Sequence, residues 1–279
     1  MDVGVTAGIS GGPKVSMIMT AFNAERFIDA SVRAALDQDY ANFDVVLLDD
    51  GSTDATRSIC EKIESARFHY VRRERMGRSK ALNEAIRSSA GEYIAINDAD
   101  DLSFPDRISY TLGYLRNNPD VAVAATQYVT ADHFLTKVPD DLRRPEKQQN
   151  RSAAQIGAVR LYRSNPLVHS TVMFSRRLWK LVDGYDETLQ MCIDYDFYLR
   201  SIRHGSIMLL PLATVIYFQN AASFFKTSSR LDYLRTLYGV RARARETLPM
   251  PMWTRMFDLL PIYAVFKGRL IRLMSNMGT

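Results

Sequence analysis

Short apolar runs that end in aspartates constrain this chain more than any other feature. Val15 to Met19, Val45 to Leu48, Phe68 to Val71, Tyr93 to Ile96 and Val121 to Thr126 each read as a buried strand. Between them apolar residues recur at helical spacing: Ile28, Val32, Ala35 and Leu36, then Ile59 and Ile63, then Ala81, Leu82, Ala85 and Ile86. That alternation specifies an α/β fold, a doubly wound and mostly parallel sheet with crossover helices on its faces. Asn23, and Ser52 or Thr53, stand where helix caps are expected. Gly91 closes the third helix, and Ser103 with Pro105 opens a fourth that runs to Asn117.

In an open sheet of this kind ligands gather beyond the carboxyl ends of the strands. There the second strand runs into Asp49-Asp50-Gly51-Ser52-Thr53-Asp54, and the fourth into Asn97-Asp98-Ala99-Asp100-Asp101. Carboxylates crowded along one edge are costly unless a cation neutralises them, and a hard divalent ion does so while leaving positions for phosphate oxygens. The Asp-x-Asp pair at 98 and 100 therefore suits Mn2+ or Mg2+; aspartates serving only turns and helix starts are the alternative. Gly8 to Lys14 lacks the spacing of a phosphate loop and precedes a strand, and no strand leads into a dinucleotide glycine fingerprint. Nucleotide binding here needs another device.

Residues 127–165 are polar, with Pro139 and Pro145, and read as a loop followed by a helix around Gln155 to Leu161. His169 to Phe174 returns as a strand, Asp194 to Arg203 as a helix, and Ser206 to Phe218 as two short strands around Pro211. The net charge of +5 is uneven: residues 226–279 carry 10 basic and three acidic side chains, a balance of +7 that leaves −2 for the rest. A basic helical extension of that kind calls for an anionic partner such as a membrane surface, nucleic acid or a phosphorylated glycolipid. From Met252 onward Met256, Leu259, Tyr263, Phe266 and Leu270 form an apolar stripe broken by Pro261, and Leu259 to Phe266 falls well short of the ~20 residues that span a bilayer. Lying on a membrane surface and packing on the rest of the chain or a partner subunit stay open as its two readings. Cys60 and Cys192 are expected as free thiols, and residues 1–13 lack a basic start and a long apolar run, so cytoplasmic residence is expected.

Several short motifs then line up. They are Val15-Ser16-Met17-Ile18-Met19-Thr20-Ala21-Phe22-Asn23, the Asp49 to Asp54 run, Gly77 with Lys80-Ala81-Leu82-Asn83, and Gly91-Glu92-Tyr93-Ile94 ahead of Asp98 to Asp101. His169-Ser170-Thr171-Val172-Met173-Phe174, Gly184-Tyr185-Asp186-Glu187 and Asp194-Tyr195-Asp196-Phe197-Tyr198-Leu199-Arg200 follow. In order and spacing this set resembles the family 2 inverting glycosyltransferases with the A-type fold, from residue 14 to about residue 220. The resemblance implies a tail at 1–13 and a catalytic domain at 14–225, made of a nucleotide-sugar half (14–126) and an acceptor half (127–225). The basic helical extension then covers 226–279. It implies metal-dependent transfer of a sugar from a UDP- or dTDP-sugar to a hydroxyl of a glycan or lipid-linked acceptor, in surface polysaccharide synthesis, with no nucleic-acid partner.

Carried over residue by residue, the resemblance has Thr20, Ala21, Phe22, Asn23 and Asp50 lining the base pocket, Asp50 accepting from a uracil or thymine imide. Asp98 then lies near the ribose, Asp100 ligates the metal, and Lys80 reaches the pyrophosphate. Asn220 stands where relatives often place a metal-binding histidine, and His169 falls beside the acceptor or diphosphate. Asp194 is the general base, with Asp196 pointing away from it around the helix. Relatives carry arginine where this chain has Leu82, and glutamate where it has Ile193. Two other readings remain at this point. A sugar-nucleotide pyrophosphorylase shares the sheet and the metal-binding aspartates, but needs a glycine- and arginine-rich loop after the first strand, where this chain has Thr20 to Asn23. A nucleotide-sugar-binding protein without activity is the other.

Overall fold

A computed structural model describes residues 12–131, 133–139, 142, 152–219 and 229–258. The strands are β1 (Val15–Ala21), β2 (Phe43–Asp50), β3 (Phe68–Arg73), β4 (Tyr93–Ile96), β5 (Leu102–Ser103), β6 (Val121–Ala131), β7 (Ala154–Gln155), β8 (Val172–Ser175) and β9 (Ser206–Phe218). They form one sheet in the order β3-β2-β1-β4-β8-β6-β9-β5, with β7 added beside β9. The strands β1 to β4 are mutually parallel, β8 runs against both β4 and β6, and β6 and β9 are parallel to each other.

Side chains of the central strands alternate between two cores. Val15, Met17 and Met19 face one layer, with Ile28, Val32, Ile108 and Leu112 of helices α1 (Ile28–Leu36) and α4 (Arg107–Asn117). Ile18, Val46 and Leu48 face the other, with Leu82 and Ile86 of α3 (Arg78–Ser88). Both faces are covered, which is why these strands read as unbroken apolar runs. A short helix α2 (Thr56–Cys60) joins the first layer, while α5 (Ala158–Arg163), α6 (Arg176–Leu181), α7 (Ile193–Ser201) and α8 (Arg230–Thr247) belong to the second.

Several expected boundaries move. Helix α1 starts five residues beyond Asn23, and Asn23 itself has φ 52°. Its side-chain Oδ1 accepts from the Thr53 N–H at 2.8 Å, and its own N–H donates to Ser52 Oγ at 2.9 Å. The expected caps tie two loops together instead of starting helices. His169–Thr171 is a single 3-10 turn before β8, and α5 begins at Ala158, after the two-residue strand β7. Pro211 does not divide β9: the pairing to β6 steps from Thr126↔Leu210 to Gln127↔Ala213, so Pro211 sits in a bulge where no ladder N–H is required.

Helix α8 packs on the sheet-bearing body. Arg243 reaches Asp196 Oδ1 and Asp186 Oδ2, both at 3.1 Å, and Arg241 donates to the carbonyls of Arg163 and Phe257, both at 2.7 Å. Arg245 pairs with the buried Asp258, which also accepts from the Tyr162 hydroxyl at 3.0 Å. Through residue 258, then, the extension is anchored by buried polar contacts. Among the described residues no helix is long and apolar enough to cross a membrane.

Candidate active site

The parallel strands β1 to β4 deliver the loops 22–27, 51–55, 74–77 and 97–101 to one edge of the sheet. Because β8 is antiparallel to β4, the turn His169–Thr171 that precedes it lies at the same edge. The topology thus joins residues of both halves of the chain.

The first two loops interlock. Thr56 Oγ1 accepts from Ala24 N–H at 2.8 Å, and Asp54 accepts from the N–H groups of Glu25 and Thr56. Asp49 accepts from Ser52 N–H at 2.8 Å and the Tyr70 hydroxyl at 2.7 Å, which makes it a brace for the loop. Asp50 is buried, and its carboxylate takes the N–H of Met76 at 2.6 Å and of Gly77 at 3.1 Å. Close approach at Gly51 (φ 77°) is obligatory, since a Cβ there would meet the Arg75 nitrogen at 2.8 Å. The Arg75 guanidinium lies over the exposed Phe22 ring, 3.2 Å from its centroid. Thr20 is half-buried and Ala21 buried behind them. Of the expected base-pocket residues, Thr20 to Asn23 and Asp50 therefore share one corner of the edge.

At the next loop the acidic cluster divides into distinct environments. Asp101 is fully buried; its Oδ1 accepts from Phe218 N–H at 3.0 Å, and its Oδ2 takes the Ser170 hydroxyl. Burial, then the neighbouring Asp98 and Asp100 charges, push its carboxyl well above the usual range. Asp98 is three-quarters buried, with 24% of its side chain exposed. Burial alone would raise it too, but the Arg78 guanidinium bonded to its Oδ1 outweighs that and holds it ionised. Asp100 is half-buried beside them.

Arg78 also donates from Nη2 to His169 Nδ1 at 3.0 Å. A guanidinium can only donate, so Nδ1 accepts, the ring proton sits on Nε2, and Nε2–H donates to the Tyr185 hydroxyl at 2.9 Å. Burial, the larger influence, and the Arg78 charge drive the His169 imidazole down to about 4, against the pull of Asp98; it is neutral at ordinary pH. Asn83 in turn fixes Tyr185. Its Oδ1 accepts from Tyr185 N–H and Trp179 Nε1–H, and its Nδ2 donates to the Tyr185 carbonyl.

Asp194 lies in the first turn of α7, half-buried, with Oδ2 accepting from Asn165 Nδ2 at 2.7 Å. Asp196 is buried and paired with Arg200 and Arg243, so it anchors structure. Lys80 is exposed on α3 beside Glu187, on a different side from Arg78. Leu82 and Ile193 are core residues. Asn220 lies outside the described residues. Arg78, Asn165 and Tyr185 are the members of the site that sequence reasoning passed over. Only Tyr185 stood inside a motif.

The donor set is compatible with a divalent ion. Mg2+ or Mn2+ takes oxygen ligands and needs only one or two protein carboxylates when phosphates supply the rest. Asp101 is engaged at both oxygens and Asp98 by Arg78, while Asp100, half-buried on the same loop, is the carboxylate that the family resemblance assigns to a metal. A cleft of about 540 Å³, lined by Glu92, Tyr93, Arg176 and Lys180, opens where β4 begins, away from all these residues.

The model of glycosyl transferase family 2 matches residues 16–179. EpsE of Bacillus subtilis, which carries a glycosyltransferase name, is 29% identical over 206 residues, covering 71% of this chain and 69% of its own. The chain spans as little as 21% of the length of other relatives. Among solved structures, S. aureus TarS 1-349 in complex with UDP-GlcNAc superposes with a TM-score of 0.69 at 19% identity, over 88% of this chain and 70% of that one. The mannosyltransferase PcManGT from Pyrobaculum calidifontis, in complex with GDP-Man and Mn2+, gives 0.61 at 18% identity, over 96% and 81%. Both are similar in fold.

A neutral, buried His169 has a measurable consequence. Nuclear magnetic resonance titration of its ring should give a midpoint near pH 4 in place of 6.5. Its contribution to stability is complete above pH 6.5 and is lost as pH falls from 6.5 toward 4, where only the unfolded chain takes up the proton. His169→Gln should flatten the stability profile across that window; a ring titrating at its ordinary value would contradict the Arg78 hydrogen bond.

Proposed function

The chain belongs to glycosyl transferase family 2, and on that premise we propose that it moves one sugar from a UDP- or dTDP-sugar to a hydroxyl of a glycan or lipid-linked acceptor, with inversion at the anomeric carbon. The observation that carries this reading is the convergence on one sheet edge of the ionised Asp98, the half-buried Asp100 and, across Arg78 and His169, the carboxylate of Asp194. A pyrophosphorylase would need a phosphate-binding loop after β1, where Phe22 and Asn23 are instead engaged with Arg75 and Ser52. The UDP-GlcNAc bound by TarS supports a uridine donor; the GDP-Man bound by PcManGT makes a donor panel the first experiment.

The base would rest in the corner of Phe22 and Asp50, whose carboxylate suits a ring that presents an imide N–H. The acceptor hydroxyl attacks the anomeric carbon from the face opposite the diphosphate; a carbon–oxygen bond forms to the acceptor as the one to the diphosphate breaks. Asp194 takes the acceptor proton, and Asn165 holds Oδ2 so that Oδ1 is presented. A divalent ion at Asp100 supplies neutralising charge to the diphosphate when bound. Asn220 is its second proposed ligand. The membrane-surface reading of the extension is supported by exposed Met252, Trp253 and Met256 beside Arg255. Surface polysaccharide synthesis at the inner face of the cell membrane is the setting that this reading favours.

Asp100→Ala should abolish the Mn2+ dependence of donor binding while the melting temperature is kept; equal metal-dependent affinity in calorimetric titrations of mutant and wild type would remove Asp100 from the metal. Asp194→Asn should bind donor nearly normally but turn over about 10²- to 10⁴-fold more slowly, the range for a positioned acid or base. Steady-state rates with a saturating donor test this, and an undiminished rate would move the base elsewhere. Asp196→Asn is expected to lower stability instead, because it breaks a buried pair. Replacing Met252, Trp253 and Met256 together by glutamine should weaken sedimentation with anionic vesicles. If the wild type never sediments with them, the extension is a packing element alone.

A further inference from the structure

Arg78 is unlike the other basic residues of the site. Both of its hydrogen bonds, to Asp98 Oδ1 and His169 Nδ1, leave from Nη2. Among the described residues neither Nη1 nor Nε meets an acceptor, and 45% of the side chain is exposed. Nη2 is pinned, and the rest of the group is left partly open to solvent. The carboxylates acting on it are Asp98 first, then Asp194 and Asp100, so the guanidinium feels both the aspartates assigned to the donor and the one assigned to the base. In a single displacement the groups stand in the order nucleotide, diphosphate, sugar, acceptor, base. A cation hydrogen-bonded to Asp98 at the donor end, and to His169 beside it, is placed to meet the diphosphate. His169 is neutral, and Lys80 is on the side of Glu187, so neither supplies this charge.

We infer that Arg78 is the diphosphate-binding residue of this enzyme, taking a phosphate oxygen on Nη1–H while Nη2 stays on Asp98. The inference rests on the transferase reading above. A guanidinium donates a charge-assisted hydrogen bond to a phosphate oxygen, and its pinned Nη2 removes rotamer freedom before the ligand arrives. Asp98 thus has two tasks: it faces the ribose and holds the cation that meets the diphosphate.

The test is calorimetric titration of UDP and of uridine into wild type, Arg78→Met and Arg78→Lys, with the folded state of each checked by thermal melting. Arg78→Met should lose on the order of tenfold or more in UDP affinity, with uridine affinity unchanged, and Arg78→Lys should fall between the two, since it keeps the charge and loses the guanidinium. If Arg78→Met does not fold, the lysine variant alone decides, by its UDP-to-uridine ratio. Wild type that binds UDP, with variants that bind it equally well or lose UDP and uridine in parallel, overturns the role of Arg78 and leaves the transferase reading standing. Wild type that binds no UDP overturns the uridine-donor reading and this inference with it.

Discussion

The guanidinium of Arg107 is the interaction on which the site depends. It is 1% exposed, beneath the loop that carries Asp98, Asp100 and Asp101. It donates to Asn97 Oδ1 at 2.9 Å, to Ser103 Oγ at 2.8 Å and to the Ile96 carbonyl, which together fix the turn by which the chain leaves β4. Burial drags the group down to about 9, partly opposed by the Asp101 and Asp98 charges, so it remains a cation at neutral pH. Three carboxylates on one turn repel one another; a fixed cation below them lowers that cost and leaves the outer face negative. Removing one partner of such a buried arrangement typically costs about 3–5 kcal/mol.

Reversal of β8 is the second requirement. A sheet that continued in parallel would place the residues after each strand at this edge and nothing before a strand. By running backward between β4 and β6, β8 brings the turn before it, with His169 and Ser170, against the acidic loop. Ser170 then bridges the ends of the acidic loop: its Oγ accepts from the backbone N–H of Asp98 at 3.1 Å and its hydroxyl donates to the Asp101 carboxylate. At the acidic loop, this turn and the Arg78–His169–Tyr185 chain connect β4 to the later part of the chain that carries Asp194.

Much of the sheet was legible because β1, β2 and β4 are buried on both faces and the helices α1 and α3 each show one apolar stripe. Loops were less so. Asn23, Ser52 and Thr53 have the side chains of helix caps, yet they bond to each other across 29 and 30 residues of sequence, and a local pattern carries no trace of that. Arg78 was passed over for the same reason: its partners lie 20 and 91 residues away, and a basic residue on a polar helix face looks solvated. Asn165, 29 residues before Asp194, had no pattern to mark it. Pro211 was read as a strand break, where the fold instead absorbs it in a bulge.

The clamp of Arg243 on Asp196 gives the extension a bearing on heredity that its charge alone would not suggest. Asp196 sits two residues from Asp194 on the same helix, and the same arginine also grips Asp186, one residue past Tyr185. Substitutions at Arg243 therefore act at the foundations of the helix that carries Asp194. An extension inherited without an equivalent of Arg243 would leave Asp196 to Arg200 alone of these two arginines and strip Asp186 of its ion pair with Arg243.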